Sequence, residues 1–433
     1  MRRRGTHETL DGILDRLFLL GVGNEVVLCV STLMLAARAL SLSDIAFVMM
    51  LGFAGTTILE VPSGVMSDLW GRKRLWILSV LCSLMWLAAC FIGTVPLIAM
   101  GAVINGIGVA LRSGTLDALY VEEWIACSGK ERIARAGMWS TLFTYLGFAV
   151  GALVSGALPR VWKETTPYTL HLLVSASIFS IMLLVACKAV REVPRKQTEK
   201  SGSFFGSVTQ IYTQLRQAIH LTRQTPLLFL IASAAVVMGF STVGVELYWQ
   251  PRLQALSQLE QLAWMLSICS FFSMGMLAVS GIGAVAILER VHSTAGKVAV
   301  YAVYRFTMIA VMVCMAFLLK SWVFAAFYVL YYLIIGGQDT VEGVLLHQVV
   351  PNEQRGTVMS IQSLALRFGG MISQALCGVL LLKIELMQVW LLLAVMHAVG
   401  YLLCLLLFLK RKKLDIRENV KKMGEKAENL TCP

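Results

Sequence analysis

The sequence predicts an all-α membrane protein, with twelve transmembrane helices in two pseudo-symmetric six-helix bundles. Three features carry that expectation. First, 58% of the 433 residues are hydrophobic, only 14% are charged and the mean hydropathy is +0.74, more apolar surface than a water-soluble domain can hide. Second, the apolar residues come in runs of about 20, enough to cross a ~30 Å hydrocarbon core as a helix. A backbone in lipid must satisfy its own polar groups, so repeated runs of this length mean helices. Third, Lys and Arg crowd alternate loops, and parts of the two halves of the chain resemble each other.

The spans read Leu17–Ala37, Ile45–Ser67, Leu75–Thr94, Leu97–Val121, Ala136–Leu158, Leu170–Val190, Leu227–Trp249, Ala263–Leu288, Val298–Leu319, Trp322–Leu345, Thr357–Lys383 and Leu386–Leu409. An even number puts both ends on one side. That side collects Arg2–Arg4, Arg72–Arg74, Lys130, Arg132, Arg135, Lys188 through Arg223, Arg290, Lys297, Arg355 and Lys410–Lys413. The other holds only Arg38, Arg160, Lys163, Arg252, Lys320 and Lys383. The positive-inside rule makes the first side cytoplasmic, which gives a multi-pass protein of the cell (inner) membrane with both termini in the cytoplasm. The net charge of +12 is then an effect of topology in the bilayer. A nucleic-acid partner would need a basic soluble domain, and none is expected. Asp11, Asp15 and Arg16 interrupt the start, and the run after them is too long for a signal peptide, so no cleaved leader is expected. The ten cysteines fall almost all singly inside spans without CxxC spacing and read as packing, so neither a metal nor a cofactor is expected.

The chain divides at its longest polar stretch, which opens "VREVPRKQTEKSGS". The expected organisation is a first bundle over 1–188, a cytoplasmic linker over 189–225, a second bundle over 226–410 and a cytoplasmic tail over 411–433. "DALYVEEWIACSGKERIARAGMWS" (117–140) parallels "DTVEGVLLHQVVPNEQRGTVMS" (339–360), so that Asp117 matches Asp339 and Arg135 matches Arg355. A fainter echo links "SGVMSDLWGRK" with "SGIGAVAILERVHSTAGK" at 280–297. Two related six-helix halves with a substrate site near the midplane between them are a common plan for secondary transporters.

The loop between spans 2 and 3 reads "GVMSDLWGRKR". Gly64 and Gly71 allow close helix approach and a tight turn. Asp68 can pair with Arg72 or face the positive N-terminus of a neighbouring helix, or the whole cluster is a solvated positive anchor. This stretch resembles the loop signature of the major facilitator superfamily, a Gly, an Asp four residues on, then Gly-Arg-Lys. "LEVPSG" (59–64) and "RSGTLDALY" (112–120) resemble bacterial multidrug or metabolite exporters of the drug:proton antiporter type. The resemblance implies the major facilitator fold. It further implies that Asp68 touches the start of span 11 near Arg355, latching the halves, and that Arg72 pairs with Asp117. In span 5 "GFAVGALVSG" matches a family antiporter signature at Gly147, Gly151 and Gly156, with Ala152 and Ser155 in place of a Pro and a Gly. These small residues permit close helix packing. In span 4 Ala102 stands where the family often has an Arg, ahead of Asn105 and Gly106, and Arg112 lies about three turns further on.

Ionisable groups deep in a bilayer are functional candidates by default. Glu25 lies near the middle of span 1, with Gly21, Cys29 and Thr32 at helical spacing. Arg367 lies near the middle of span 11, sharing a face with Ser360, Ser363, Gly370 and Gln374. Both are expected to face a central cavity. Either they pair in one state and exchange partners for a proton or substrate in another, or they form a permanent structural pair. An acid at that depth suits proton exchange or a cationic substrate; an anionic substrate would use Arg367 and Arg112. In span 10, Tyr328, Tyr332, Asp339 and Gly343 share a face, which suits either an amphipathic ligand or ordinary packing. Glu60, Arg112, Asp117, Asp339 and Glu342 form an expected gate cluster at the cytoplasmic mouth. His397 reads as packed, Arg305 as able to snorkel to the surface, and Glu246, with Tyr248 and Trp249, as interface or outer gate.

No Walker motif is present, so ATP is not the direct energy source. The expected function is secondary transport by alternating access: proton-coupled efflux of an amphipathic drug or small metabolite, by a monomer. Uptake or exchange of a small polar metabolite is the alternative. A polytopic enzyme lacks its His/Asp or Asp/Asp pairs here, and a sensor on a transporter scaffold would carry an extra soluble domain.

Overall fold

The computed structural model describes residues 4–113, 115–128, 133–161, 167–189, 226–291, 293–349 and 355–406, with positions 216, 220 and 409 besides. The stretches expected to form the linker and the tail lie almost wholly outside these. The described residues are helices joined by short turns, as lipid demands. They are α1 (Arg4–Leu28), α2 (Ser31–Ala36), α3 (Leu42–Trp70), α4 (Arg72–Ile92), α5 (Val95–Arg112), α6 (Thr115–Ser128) and α7 (Ile133–Val161). After these come α8 (Thr169–Ala189), α9 (Pro226–Leu256), α10 (Leu259–Arg290), α11 (Thr294–Phe317), α12 (Ser321–Val349), α13 (Arg355–Leu380) and α14 (Leu386–Leu406). Eleven described segments are long and apolar enough to cross a membrane. The expected first span falls on α1 and α2, where charges near the start and a break at Cys29–Val30 interrupt the run.

Local chemistry sets the helix ends. Ser41 accepts from the backbone N–H of Asp44 at 3.1 Å, and the Asp44 carboxylate accepts from the Ser41 N–H at 3.0 Å, a reciprocal capping box that starts α3. Gly71 alone separates α3 from α4, and its φ of +85° is one that only glycine adopts without strain. Gly93, at φ +82°, ends α4 in the same way.

Packing repeats between the halves pair by pair. In the first half α1 packs on α7, α3 on α5 and α4 on α5; in the second, α9 packs on α13, α10 on α12 and α11 on α12. Matching pairs even share their chemistry. A Cβ at Gly147 would come within 3.1 Å of the Gly21 Cα, so α1 and α7 cross backbone to backbone. Gly239 and Gly369 do the same where α9 crosses α13, each lying against the backbone carbonyl of a residue on the other helix. Gly106 abuts the carbonyl of Gly52 where α3 meets α5, and Gly336 abuts that of Leu277 where α10 meets α12. Small residues let helices approach closely where no hydrophobic force between them exists in lipid.

Two seams join the halves, α7 against α10 and α3 against α13, with a smaller contact between α2 and α9. Gly156 of α7 lies against Ser267 of α10, whose hydroxyl donates to the Ala152 carbonyl at 2.7 Å. Gly147 and Gly151 face α1, so the three glycines of span 5 divide between packing inside a half and packing across a seam.

Candidate functional site

The site lies where α1 meets the second half. Glu25 is 3% exposed. Gly151 of α7 makes room for it: a Cβ there would approach the Glu25 Cβ to 2.9 Å. Ser270 of α10 stands beside the carboxyl group, while Oε2 has no hydrogen-bond partner among the described residues.

One turn beyond Glu25 the helix breaks, and the other half repairs it. An unbroken helix would join the Thr32 N–H to the Leu28 carbonyl. Instead the Gln250 side chain of α9 is inserted between them. Its Nε2 donates to Leu28 O at 2.8 Å, and its Oε1 accepts from Thr32 N at 3.0 Å. The repair is mutual. Pro251 lacks an N–H, so the Leu247 carbonyl one turn back loses its helical donor; the Thr32 hydroxyl donates to it at 3.3 Å. Pro159 poses the same problem in α7, where His171 Nε2 donates to the freed Ser155 carbonyl at 3.0 Å.

Glu246 lies one turn before Gln250 on the face of α9 that meets α1. It is exposed and lies within electrostatic range of Glu25. The Tyr332 hydroxyl donates to it. Tyr328 stacks on Trp249 with centroids 4.4 Å apart, and the Tyr328 hydroxyl donates to that of Tyr332 at 3.4 Å. Tyr328 and Tyr332 are both buried in the hydrophobic core and build the wall that holds Glu246. The apolar run stops at Trp249, which sets Glu246 near the outer end of its span, whereas α9 continues to Leu256 and leaves Glu246 further inside the helix.

Arg367 does not pair with Glu25 in this conformation. Its Nη2 lies 3.1 Å from Glu60 Oε1, a bridge across the α3–α13 seam that joins an expected cavity residue to an expected gate residue. One and two turns further along α13, Gly370 meets Val243 and Phe53, and Gln374 is buried with Oε1 lacking a partner among the described residues. Asn105 is half-buried beside the tight Gly106 crossing, and Arg112 is half-buried in the last turn of α5.

Nearer the termini, inside the second half, sits a buried polar network. Arg305 is 1% exposed; it turns inward and does not snorkel. It pairs with Glu342 and donates through Nε to the Tyr301 hydroxyl at 2.8 Å. Tyr301 in turn donates to Glu342 at 3.0 Å. Arg305 Nη1 lies 3.1 Å from His397 Nε2. A guanidinium only donates, so Nε2 is the acceptor and the proton is on Nδ1. Nδ1 donates to Ser241 Oγ at 2.9 Å, and Ser241 donates to the Met238 carbonyl at 3.1 Å. Asp339 is exposed, within electrostatic range of Glu342 and Arg305 and of Tyr145 across on α7. His397 and Arg305 are 92 positions apart, and no spacing signals that they meet.

Of the expected latch, Gly71 forms the α3–α4 turn and Arg72 opens α4. The side chains of Asp68, Asp117 and Arg355 and the surroundings of Gly64 lie outside the described residues. Among the described residues, no group of three or more His, Cys, Asp or Glu is placed to hold a metal.

The sequence model of the Major Facilitator Superfamily matches residues 17–297, more than half of the chain. The solved structure of the nucleoside transporter NupG superposes with a TM-score of 0.72 at 13% identity, covering 92% of this chain and 98% of that one. A bacterial homolog of the human lysosomal transporter Spinster, in an inward-facing and occupied conformation, gives 0.70 at 13% identity over 95% of this chain and 99% of that one. A D-xylose–proton symporter gives 0.65 at 14% identity over 91% and 96%. At these identities the likeness is one of fold. No curated protein matches the chain.

Proposed function

This chain belongs to the Major Facilitator Superfamily, and from that premise we propose that it is a proton-coupled secondary transporter of the drug:proton antiporter type. It exports an amphipathic small molecule by rocking its two bundles about a shared crevice. The observation that carries this is Glu25, a carboxyl buried between the halves with one oxygen unpartnered. A carboxylate so placed is stable only when it holds a proton or a ligand, so exchanging one for the other is antiport chemistry. Glu60 and Arg367 pair across the seam and act as a contact that breaks when the halves separate there.

The two bundles of this reading are 1–188 and 226–410, working as a monomer in the cell membrane with both termini cytoplasmic. Asp68, Arg355, Arg72 and Asp117 form its latch on the terminal side.

The test is expression in a host stripped of its own efflux pumps, scored for resistance to cationic, neutral and anionic compounds with and without a protonophore. We expect resistance to at least one amphipathic compound, lost with the protonophore and with Glu25→Gln. Protein present in the membrane with no change for any compound would sink the export reading. Import of a small polar metabolite is the second reading, favoured by the nucleoside transporter and the sugar–proton symporter among the similar folds. Uptake of labelled nucleosides or pentoses into the same cells checks it.

A further inference from the structure

The end of α10, the first turn of α11 and α12 frame a groove at the end of the second half nearer the chain termini. Its volume is about 390 Å³, within the range of about 300–1,000 Å³ typical of sites for small organic molecules. Val285, Leu288, Val291 and Val344 form its walls. Two charged side chains line it as well, Glu289 of α10 and Lys297 of α11. Among the described residues neither is in an ion pair. Arg290 is exposed next to Glu289 and is not part of the lining. Further into the crossing, α10 exposes Val279, Ile282 and Val285 on a face that acyl chains cover. The crossing of α10 ends at Arg290 and that of α11 begins at Ala295. Glu289 and Lys297 therefore stand at headgroup depth, with the apolar wall on the hydrocarbon side.

We propose that this groove seats one zwitterionic phospholipid whose headgroup ends in a primary ammonium. The lipid phosphate accepts from the Lys297 ammonium, the lipid ammonium donates to the Glu289 carboxylate, and an acyl chain lies along Val285, Leu288 and Val344. One acid and one base beside an apolar wall match a headgroup that carries one charge of each sign. A quaternary headgroup has no N–H to give Glu289. An anionic headgroup without an amine leaves Glu289 facing negative charge, and a basic stretch such as "KRKK" at 410–413 would leave Lys297 facing positive charge. The bound lipid ties α10 to α11 and α12 beside the buried network: Lys297 is one turn before Tyr301, and Val344 is two residues after Glu342. The site lies apart from the crevice between the halves and holds whatever the transporter carries.

The probes are phosphatidylethanolamine, its N,N-dimethyl derivative, phosphatidylcholine and phosphatidylglycerol, all with the same acyl chains. Binding to the delipidated full chain in detergent is read by native mass spectrometry. We expect one saturable phosphatidylethanolamine, held roughly tenfold more tightly than phosphatidylcholine or phosphatidylglycerol, as one charge-assisted contact gives. The dimethyl lipid, which keeps one N–H, should fall between. Glu289→Gln should bring phosphatidylethanolamine down to the level of phosphatidylcholine. Lys297→Gln should weaken both by a similar factor and preserve their ratio, because the phosphate is common to them. Glu385→Gln, at an exposed acid in the turn between α13 and α14, should change nothing. Phosphatidylethanolamine should also raise the melting temperature of the unmutated chain and not that of Glu289→Gln. Equal binding of phosphatidylethanolamine and phosphatidylcholine, phosphatidylglycerol binding as tightly as either, or a preference that survives Glu289→Gln each overturns the proposal. The headgroup comparison on the unmutated chain needs no variant to fold.

Discussion

Glu60 on α3 and Arg367 on α13 form a 3.1 Å ion pair across the seam between the halves, with side chains 18% and 25% exposed. The pair is mostly buried, so its attraction is largely offset by the cost of taking both charges out of water, and removing one partner leaves the other uncompensated. Its separation along the chain makes it a contact between bodies and not within one. Glu60→Gln and Arg367→Gln should each lower transport severalfold and lower the melting temperature by several degrees. The exchanged pair Glu60→Arg with Arg367→Glu should recover part of the flux. A swap that recovers nothing, with each single variant strongly destabilised, would make the pair structural.

Gln250 replaces one missing hydrogen bond of α1. Removing its amide leaves a buried carbonyl and a buried N–H, at a cost of about 1–3 kcal/mol each. Gln250→Ala should lower thermal stability by several degrees and speed labelling of Cys29, which sits at the break and is 1% exposed, by a polar maleimide. Mass spectrometry reads the modified site. Unchanged Cys29 labelling would mean that the break is held without Gln250.

Glycine substitutions should divide sharply. Gly106→Ala, Gly147→Ala and Gly369→Ala push a methyl into the backbone of a neighbouring helix and should cut the yield of folded protein. Gly137→Ala and Gly343→Ala meet nothing within 4 Å and should be neutral or stabilising by up to about 1 kcal/mol. Size-exclusion yield after solubilisation compares the two sets.

The Arg305–Glu342 pair is buried more deeply, with Arg305 only 1% exposed. Losing either partner strands a buried charge, a change that costs about 3–5 kcal/mol. Arg305→Met and Glu342→Gln should each fold poorly, and Arg305→Met with Glu342→Leu should be more stable than either, as thermal unfolding of the three would report.

Much of this architecture was legible in the sequence. Apolar runs of bilayer length can only be helices, so the eleven described segments long and apolar enough to cross a membrane stand out. Glu25 and Arg367 were legible as deep charges because depth follows from position in a span. Their partners were not. Arg367 meets Glu60 and Arg305 meets His397 through tertiary packing, which leaves no periodic signal. Depth itself misled at Glu246, since hydropathy ends the span at Trp249 while the helix runs on through Pro251. The break at Cys29–Val30 had no Pro or Gly to announce it; its chemical cause lies in Gln250, 222 residues from Leu28.

If the two halves part at this end, as the alternating-access proposal requires, the mutual repair between α1 and α9 makes water a reactant in gating. When the halves part at that end, the Leu28 and Leu247 carbonyls and the Thr32 amide lose their partners together, and only solvent can replace them. Opening there is a hydration step with a definite stoichiometry. Impermeant osmolytes that lower water activity on that side should hold it shut, in proportion to the number of molecules it must admit.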